Sequence, residues 1–301
     1  MPYLHDFEHT LHGWKIFSKV DIFKAFQQIP IADCDISKTA VTTPWGLCEY
    51  TRLCFALMNA PQTFMRFMYE ALRGLNFCFV YLDDILCSSD NAEELTSHLR
   101  VIFQRLRSYG LKLNVSICVF GVTELVFLGH LIASEGVKPL PEKIKAVLEY
   151  NKPETVGSLR KFLGLLNFYR RFSPNAADKQ FLLTKFLKGS TGRKDSRKIN
   201  WAPEAFQRFK QTLSDAAVLA HPSPSATLAL HVDAYDFAIG GALLQVVDSE
   251  LQPLAFFSRN LTPAESSYGA YDRELLSIRL FDTSATCWKR DSSLFSQIIS
   301  R

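Results

Sequence analysis

"NFCFVYLDDILCSSDN", residues 76–91, sets two adjacent acids, Asp83 and Asp84, inside an otherwise apolar run. In one continuous strand, neighbouring side chains point to opposite faces. One acid would then enter a buried layer, where an unpaired carboxylate costs several kcal/mol or takes up a proton. Two arrangements relieve that cost, a tight hairpin turn at the pair or a bound cation. Asp-Asp is common in turns, so the dipeptide alone leaves both open.

Working outward, residues 1 to about 135 alternate strand-like stretches ("KIFSKVDIF", "KTAVTTPWGLCEYTRL") with helical ones ("APQTFMRFMYEALRG", "NAEELTSHLRVIFQRLRSYG"). This is an α+β pattern. Pro61 and Gly74 bracket the first helix, and Asn91 and Gly110 bracket the second, as N-terminal and C-terminal signals require. "FLGHLIASEGVKPLP" reads as a hairpin turning at Ser134-Glu135-Gly136. A second block begins near Val137, where Thr155 caps a helix with Leu159, Phe162, Leu163, Leu166 and Tyr169 at helical spacing. "LKGSTGRKDSRKIN" follows as a polar linker. From about Ala220, "TLALHVDAYDFAIGGALLQVV" and "PLAFFS" read as strands and "TPAESSYGAYDRELLSIRLF" as a helix.

The 301 residues are 48% hydrophobic, enough for two or three folded domains. Seven scattered cysteines without a C-x-x-C pair argue against a disulfide framework or a zinc site and fit a reducing compartment, cytoplasmic or nuclear. The first residues lack an apolar core of the signal-peptide kind, and no apolar run has membrane-spanning length. Net charge is +4, yet Lys138–Lys198 carries fifteen Lys and Arg against five Asp and Glu, leaving −6 on the remainder. Such a segment suits a polyanion partner or a solvated helical surface.

"FSKVD" ends a strand-like stretch in Asp21. Three carboxylates at adjacent strand ends repel one another unless a cation joins them, and Mg²⁺ is the hard, oxygen-seeking ion that pairs carboxylates with phosphates. A metal-dependent phosphohydrolase would need a nucleophile or a His-rich cluster, and none is recognisable.

"YLDD", "FSKVDIFKAFQQIPI", "NAPQTFMRFM", "GLKLN", "FLGHLIASEGVKP" and "LRKFLGLLNFYRRF", in this order, resemble the polymerase of gypsy-class long-terminal-repeat retrotransposons. The likeness covers residues from about 2 to 281. It implies an α+β reverse-transcriptase palm with partial fingers over 1–136, a helical thumb and linker over 137–219, and an incomplete ribonuclease H-like α/β domain over 220–301. The implied activity is template-directed addition of deoxynucleotides to a primer, with deoxynucleoside triphosphates as substrates and an RNA or DNA template as partner. Asp21, Asp83 and Asp84 become the catalytic carboxylates, holding Mg²⁺ or Mn²⁺.

The same resemblance puts Phe26 under the incoming sugar, although a core Phe at a strand-to-helix junction has the same signature. Gln28, Phe55, Asn59, Pro61 and Tyr81 join it as substrate-binding residues, and Lys112 falls where related polymerases place a lysine near pyrophosphate. Gly129 and His130 match a hairpin that grips the primer end, with His130 otherwise a hairpin surface residue. Arg160, Lys161, Arg170 and Arg171 become phosphate contacts, which give affinity without sequence information. Asp233 and Glu274 match the first two metal acids of ribonuclease H.

Four departures bear on activity. The likeness starts inside the fingers, so the upstream basic segment that helps bind triphosphate is expected to be missing. Cys54 and Ala56 replace Pro and Gly of the family's M-P-F-G-L, and Ile117 replaces Lys before Cys118. After "ELLSIRLF" the sequence diverges before further ribonuclease H acids arrive, so RNA cleavage is expected to be absent. The rival reading is a catalytically silent remnant that only binds nucleic acid.

Overall fold

The computed structural model describes residues 6–55, 57–187, 195–199, 206 and 217–284. Ala56, most of the polar linker and the divergent tail from residue 285 lie outside the described residues. The chain divides into two compact units at Leu128–Gly129. The domain partition above is therefore a finer reading than this division.

In the first unit, strands β1 (Ile16–Asp21), β4 (Cys78–Tyr81), β5 (Asp84–Ser89) and β6 (Val119–Val122) form an antiparallel sheet in the order β4-β5-β1-β6. Strands β2 (Val41–Thr43) and β3 (Gly46–Cys48) make a separate hairpin. A short helix α1 (Asp33–Ile36) precedes α2 (Ala60–Ala71) and α3 (Ala92–Ser108). The α3 cap is as the sequence predicts, with Asn91 accepting from Glu94 N–H at 2.9 Å, acids in the first turn and Arg105 and Arg107 in the last. Both helices cover one sheet face, where Val20, Val80, Ile85 and Cys87 pack with Phe64, Met68, Ile102 and Leu106.

Strand alternation sends Lys19, Asp21 and Asp84 to the opposite face. Farther along it, Phe7 packs edge to face on Phe79 and Phe127. Strand β7 (Glu124–Phe127) ends the unit.

The second unit begins with the hairpin β8 (His130–Ala133) and β9 (Gly136–Pro139), turning at Ser134-Glu135 as expected. Gly136 has φ +145°, and a Cβ there would lie 2.2 Å from the Leu219 carbonyl, so this position is closed to other residues. Helix α4 (Pro141–Leu148) has a proline start and buries only Val147, too little apolar pattern to announce it. Helix α5 (Val156–Phe168) carries the Thr155 cap, completed by Ser158 as a capping box, and buries Leu159, Phe162, Leu163 and Leu166. Helix α6 (Ala176–Lys185) follows.

Strands β10 (Thr227–Ala234), β11 (Ala238–Val247) and β12 (Glu250–Asn260) form a three-stranded antiparallel meander. The expected helix after it starts later, as α7 (Ala270–Ser284). Upstream, Glu265 is held by both Arg259 guanidinium nitrogens and by the Thr262 amide, so the chain closes a short turn there first. Helix α7 runs on through residues 282–284, beyond the point at which the sequence was expected to diverge.

Candidate active site

The apolar run 76–91 is a hairpin, with Tyr81 facing Asp84 across a two-residue turn, Leu82-Asp83. Leu82 takes φ +54°, a left-handed conformation that is strained for a branched residue, and its N–H meets Met65 Sδ at 3.1 Å. The turn separates the two acids, Asp83 exposed at the tip and Asp84 half-buried as the first residue of β5.

Asp84 also faces Asp21 directly in the β1–β5 register, and the Ile22 amide donates to the Asp83 carbonyl at 3.0 Å. Tyr81, Asp84 and Asp21 thus form a row across three strands, with Asp83 beside it. The end of β1 is held by Asn114 N–H donating to the Asp21 carbonyl and by Asp21 N–H donating to Cys118 Sγ at 3.3 Å.

This row is electrostatically loaded. Burial pushes the Asp21 carboxyl above its usual range, and the nearby charges of Asp83 and Asp84 push it further, against opposing pulls from Lys19 and the Asn114 side chain. Burial also raises Asp84, opposed by Lys19. Lys19 is the residue that sequence reading passed over, for the acids have a basic partner. Its Nζ lies 2.8 Å from Asp84 Oδ1. The strand period was the available signal, since Lys19 and Asp21 are two apart and share a face.

Three hard oxygen donors that repel one another suit a hard divalent cation in charge and chemistry. Among the described residues, however, no three His, Cys, Asp or Glu side chains are already grouped closely enough to hold one. One of the Asp84 carboxylate oxygens is already engaged by the Lys19 ammonium.

Around the row, Phe26 is half-buried and packs edge to face on buried Phe64 and on Phe55, itself 69% exposed. Asn59 is exposed at the start of α2 and makes no side-chain cap, while Pro61 occupies its first turn. Gln28 requires a correction. Its amide donates to the Phe23 and Lys112 carbonyls and accepts from Lys112 N–H at 2.7 Å, so it braces backbone and has little capacity left for a nucleotide. A cavity of about 330 Å³ opens there, with the cationic Lys24, Arg52 and Lys112 among its lining and no acid.

In the second unit, two groups of assigned side chains are engaged inside the protein. His130 is fully buried among the rings of Phe168, Tyr169 and Phe172, and Tyr169 O–H donates to the Gly129 carbonyl at 2.8 Å. His130 is therefore a core residue rather than a hairpin surface residue, while Gly129 is half-exposed. Arg170 donates to Ser258 Oγ and Arg171 to the Leu254 carbonyl, both on β12, so these guanidiniums are engaged within the protein. Arg160 is half-buried and Lys161 is exposed on α5.

Asp233 and Glu274 are both exposed. Ser277, one turn after Glu274, donates to the Asp233 carbonyl at 3.4 Å, a contact between α7 and β10.

Residues 3–132 match the family model described as reverse transcriptase (RNA-dependent DNA polymerase), and residues 201–284 match an RNase H-like domain found in reverse transcriptase. These two stretches are thus similar to the polymerase and RNase H-like portions of reverse transcriptases. The chain is 37% identical over 280 residues to the retrovirus-related Pol polyprotein from transposon 297 of Drosophila melanogaster, covering 92% of the chain and 26% of that protein. It is 31% identical to the Tf2-3 polyprotein of Schizosaccharomyces pombe, covering 92% and 21%. The chain thus spans about a quarter of the length of these relatives. The foamy viral protease-reverse transcriptase in complex with an RNA/DNA hybrid shares its fold, with TM-score 0.85 at 22% identity over 95% of this chain and 38% of that one. Among the described residues, no helix is long and apolar enough to cross a membrane.

Proposed function

We propose that the chain is the polymerase portion of a gypsy-class retrotransposon Pol polyprotein and extends a primer with deoxynucleotides on an RNA or DNA template. The observation that carries this reading is the Asp21–Asp84 cross-strand pair beside the Asp83 turn. Residues 1–136 are assigned to partial fingers and palm, 137–219 to thumb and linker, and 220–301 to a ribonuclease H-like remnant. Foamy viral reverse transcriptase has been captured with double-stranded DNA and with an RNA/DNA hybrid, which supports the same partners here.

Asp21, Asp83 and Asp84 would hold Mg²⁺, or Mn²⁺ in its place. The ion supplies charge neutralisation at the transferred phosphoryl group and lowers the pKa of the primer 3′-hydroxyl. The turn puts Asp83 on the exposed tip of the hairpin, with half-buried Asp84 directly behind it on β5. Phe26, braced by Phe64, would present an aromatic surface to the incoming sugar and select against a 2′-hydroxyl. Exposed Phe55 and Asn59, with half-buried Tyr81, complete the nucleotide side. Lys24, Arg52 and Lys112 give a positive cavity suited to phosphates. Asp233 and Glu274 are exposed, and no grouped set of three acids surrounds them among the described residues, so no RNA hydrolysis is assigned to them. A primer-extension assay with Mg²⁺ tests the whole reading. Extension lost in Asp84→Asn at matched folded concentration supports it, and equal extension by both proteins refutes it.

A further inference from the structure

Lys19 is the member of the acid row that the reading above leaves unused. It stands two residues before Asp21 on the same face of β1 and diagonal to Asp84, with Leu86 opposite it in the register. The Lys19 and Asp84 side chains are only 24% and 19% exposed. A surface pair that solvent screens would contribute little, but partial burial strengthens this one and makes either partner costly to strand. Asp84 is therefore a shared ligand, and an ammonium and a divalent ion cannot both have the same carboxylate oxygen at full strength. A lysine suits such a role, being a compact charge on a flexible stem that can swing away, unlike a planar guanidinium gripping with two nitrogens.

We propose that Lys19 is a built-in counter-ion that holds Asp84 in the metal-free protein and must release it when a divalent cation binds, so that Lys19 sets the metal affinity of the row. The proposal rests on the assignment of Asp21, Asp83 and Asp84 as metal ligands. In this role Lys19 is a positioning residue. It keeps the β1–β5 end from being split by like charges when no metal is present, and it lowers metal affinity by the free energy needed to break its own ion pair.

The test is a Mn²⁺ titration of the EDTA-stripped full chain, followed by the electron paramagnetic resonance signal of free Mn²⁺, without nucleic acid. Lys19→Met keeps the stem and removes the charge. It is expected to bind Mn²⁺ about five- to tenfold more tightly than wild type, with Lys19→Arg no tighter than wild type. Affinity unchanged or weakened in Lys19→Met overturns the proposal. Should that variant fail to fold, the wild-type protein with ¹⁵N-labelled lysine reports directly. Saturating Mg²⁺ is expected to move the Lys19 ammonium signal to the free-lysine position, and an unmoved signal overturns the proposal. Asp84→Asn separates the two layers. Wild-type binding that Asp84→Asn does not weaken removes the metal assignment itself and the proposal with it, whereas Asp84-dependent binding indifferent to Lys19→Met removes the Lys19 role alone.

Discussion

Two acid pairs share this chain and live in opposite surroundings. Asp21 and Asp84 face each other in a four-stranded sheet, largely covered, with Asp83 alongside and a lysine already engaged. Asp233 and Glu274 are exposed on β10 and α7, elements that meet through a Ser277 hydroxyl on the Asp233 carbonyl and not through the two acids. Burial and register make the first group electrostatically tense, the condition under which a bound cation gains most. In the second group solvent screens the charges and nothing forces the acids together. The difference teaches that matching acids in a motif are half of a metal site, and a fold that compels them to meet is the other half.

The largest expected effect breaks the comparison by function. Asp21→Asn and Asp84→Asn should each lower primer extension by about a thousandfold or more, the scale seen when a group central to transition-state stabilisation is removed. Asp233→Asn should leave extension within about twofold. Wild type should release no labelled product from an RNA/DNA hybrid with Mg²⁺ or Mn²⁺. Hybrid cleavage that vanishes in Asp233→Asn would show that the second pair is a working site after all.

Stability gives the next effect, and the two first-group acids should part company. In EDTA, Asp21→Asn relieves burial and repulsion and should stabilise the fold by about 1 kcal/mol, whereas Asp84→Asn strands the partly buried Lys19 and should destabilise it by a similar amount. From repulsion among the acids alone, Asp84→Asn would leave the fold intact or stabler, and the Lys19 ion pair reverses that expectation. Thermal melts should move by a few degrees in opposite directions. Shifts of the same sign would mean that Lys19 matters less than the repulsion.

The pH dependence carries the same contrast within single groups. Asp21 and Asp84 are pushed above the usual 3.8, so their contribution to stability is full below that value and is lost as pH rises through the raised values. Glu265, gripped by Arg259, is held down at about 2 against an ordinary 4.5, so its contribution is full above 4.5 and is lost as pH falls towards 2. Carboxyl ¹³C titration in EDTA should find Glu265 titrating well below Asp21 and Asp84. The reverse order would dissolve the comparison.

Much of this was legible in the sequence, for reasons that differ by element. Asn91, Gly110, Thr155 and the stripe from Leu159 to Tyr169 obey local rules of capping and period, and local rules survive folding. Asp21, Asp83 and Asp84 were named from motif order, but their register and the Lys19 partner depend on strand pairing between segments about sixty residues apart. His130 carried a readable signal that was passed over. It alternates with Ile132, which is also fully buried, so the strand period already turned it inward. Arg170 and Arg171 carried no such signal, because their partners on β12 lie more than eighty residues away. A cationic pair looks the same in sequence whether it faces phosphate or a neighbouring strand.

That last point yields the smallest prediction. If the basic segment meets nucleic acid, its working charges are the exposed ones, and on α5 Lys161 is exposed while Arg170 and Arg171 are spent on β12. Each phosphate contact contributes about 0.9 to the slope of log affinity against log salt on duplex DNA. Lys161→Ala should therefore flatten that slope by about one, worth roughly threefold in affinity between 50 and 200 mM salt, evenly across sequences. Arg170→Ala with Arg171→Ala should leave the slope nearly untouched and instead lower the melting temperature, because both half-buried side chains lose their packing and their hydrogen bonds to β12. Fluorescence anisotropy on a labelled primer-template at four salt concentrations distinguishes the cases. A double arginine variant that flattens the slope by two with no change in melting would return those residues to the nucleic-acid surface and show that their contacts to β12 give way when a phosphate backbone arrives.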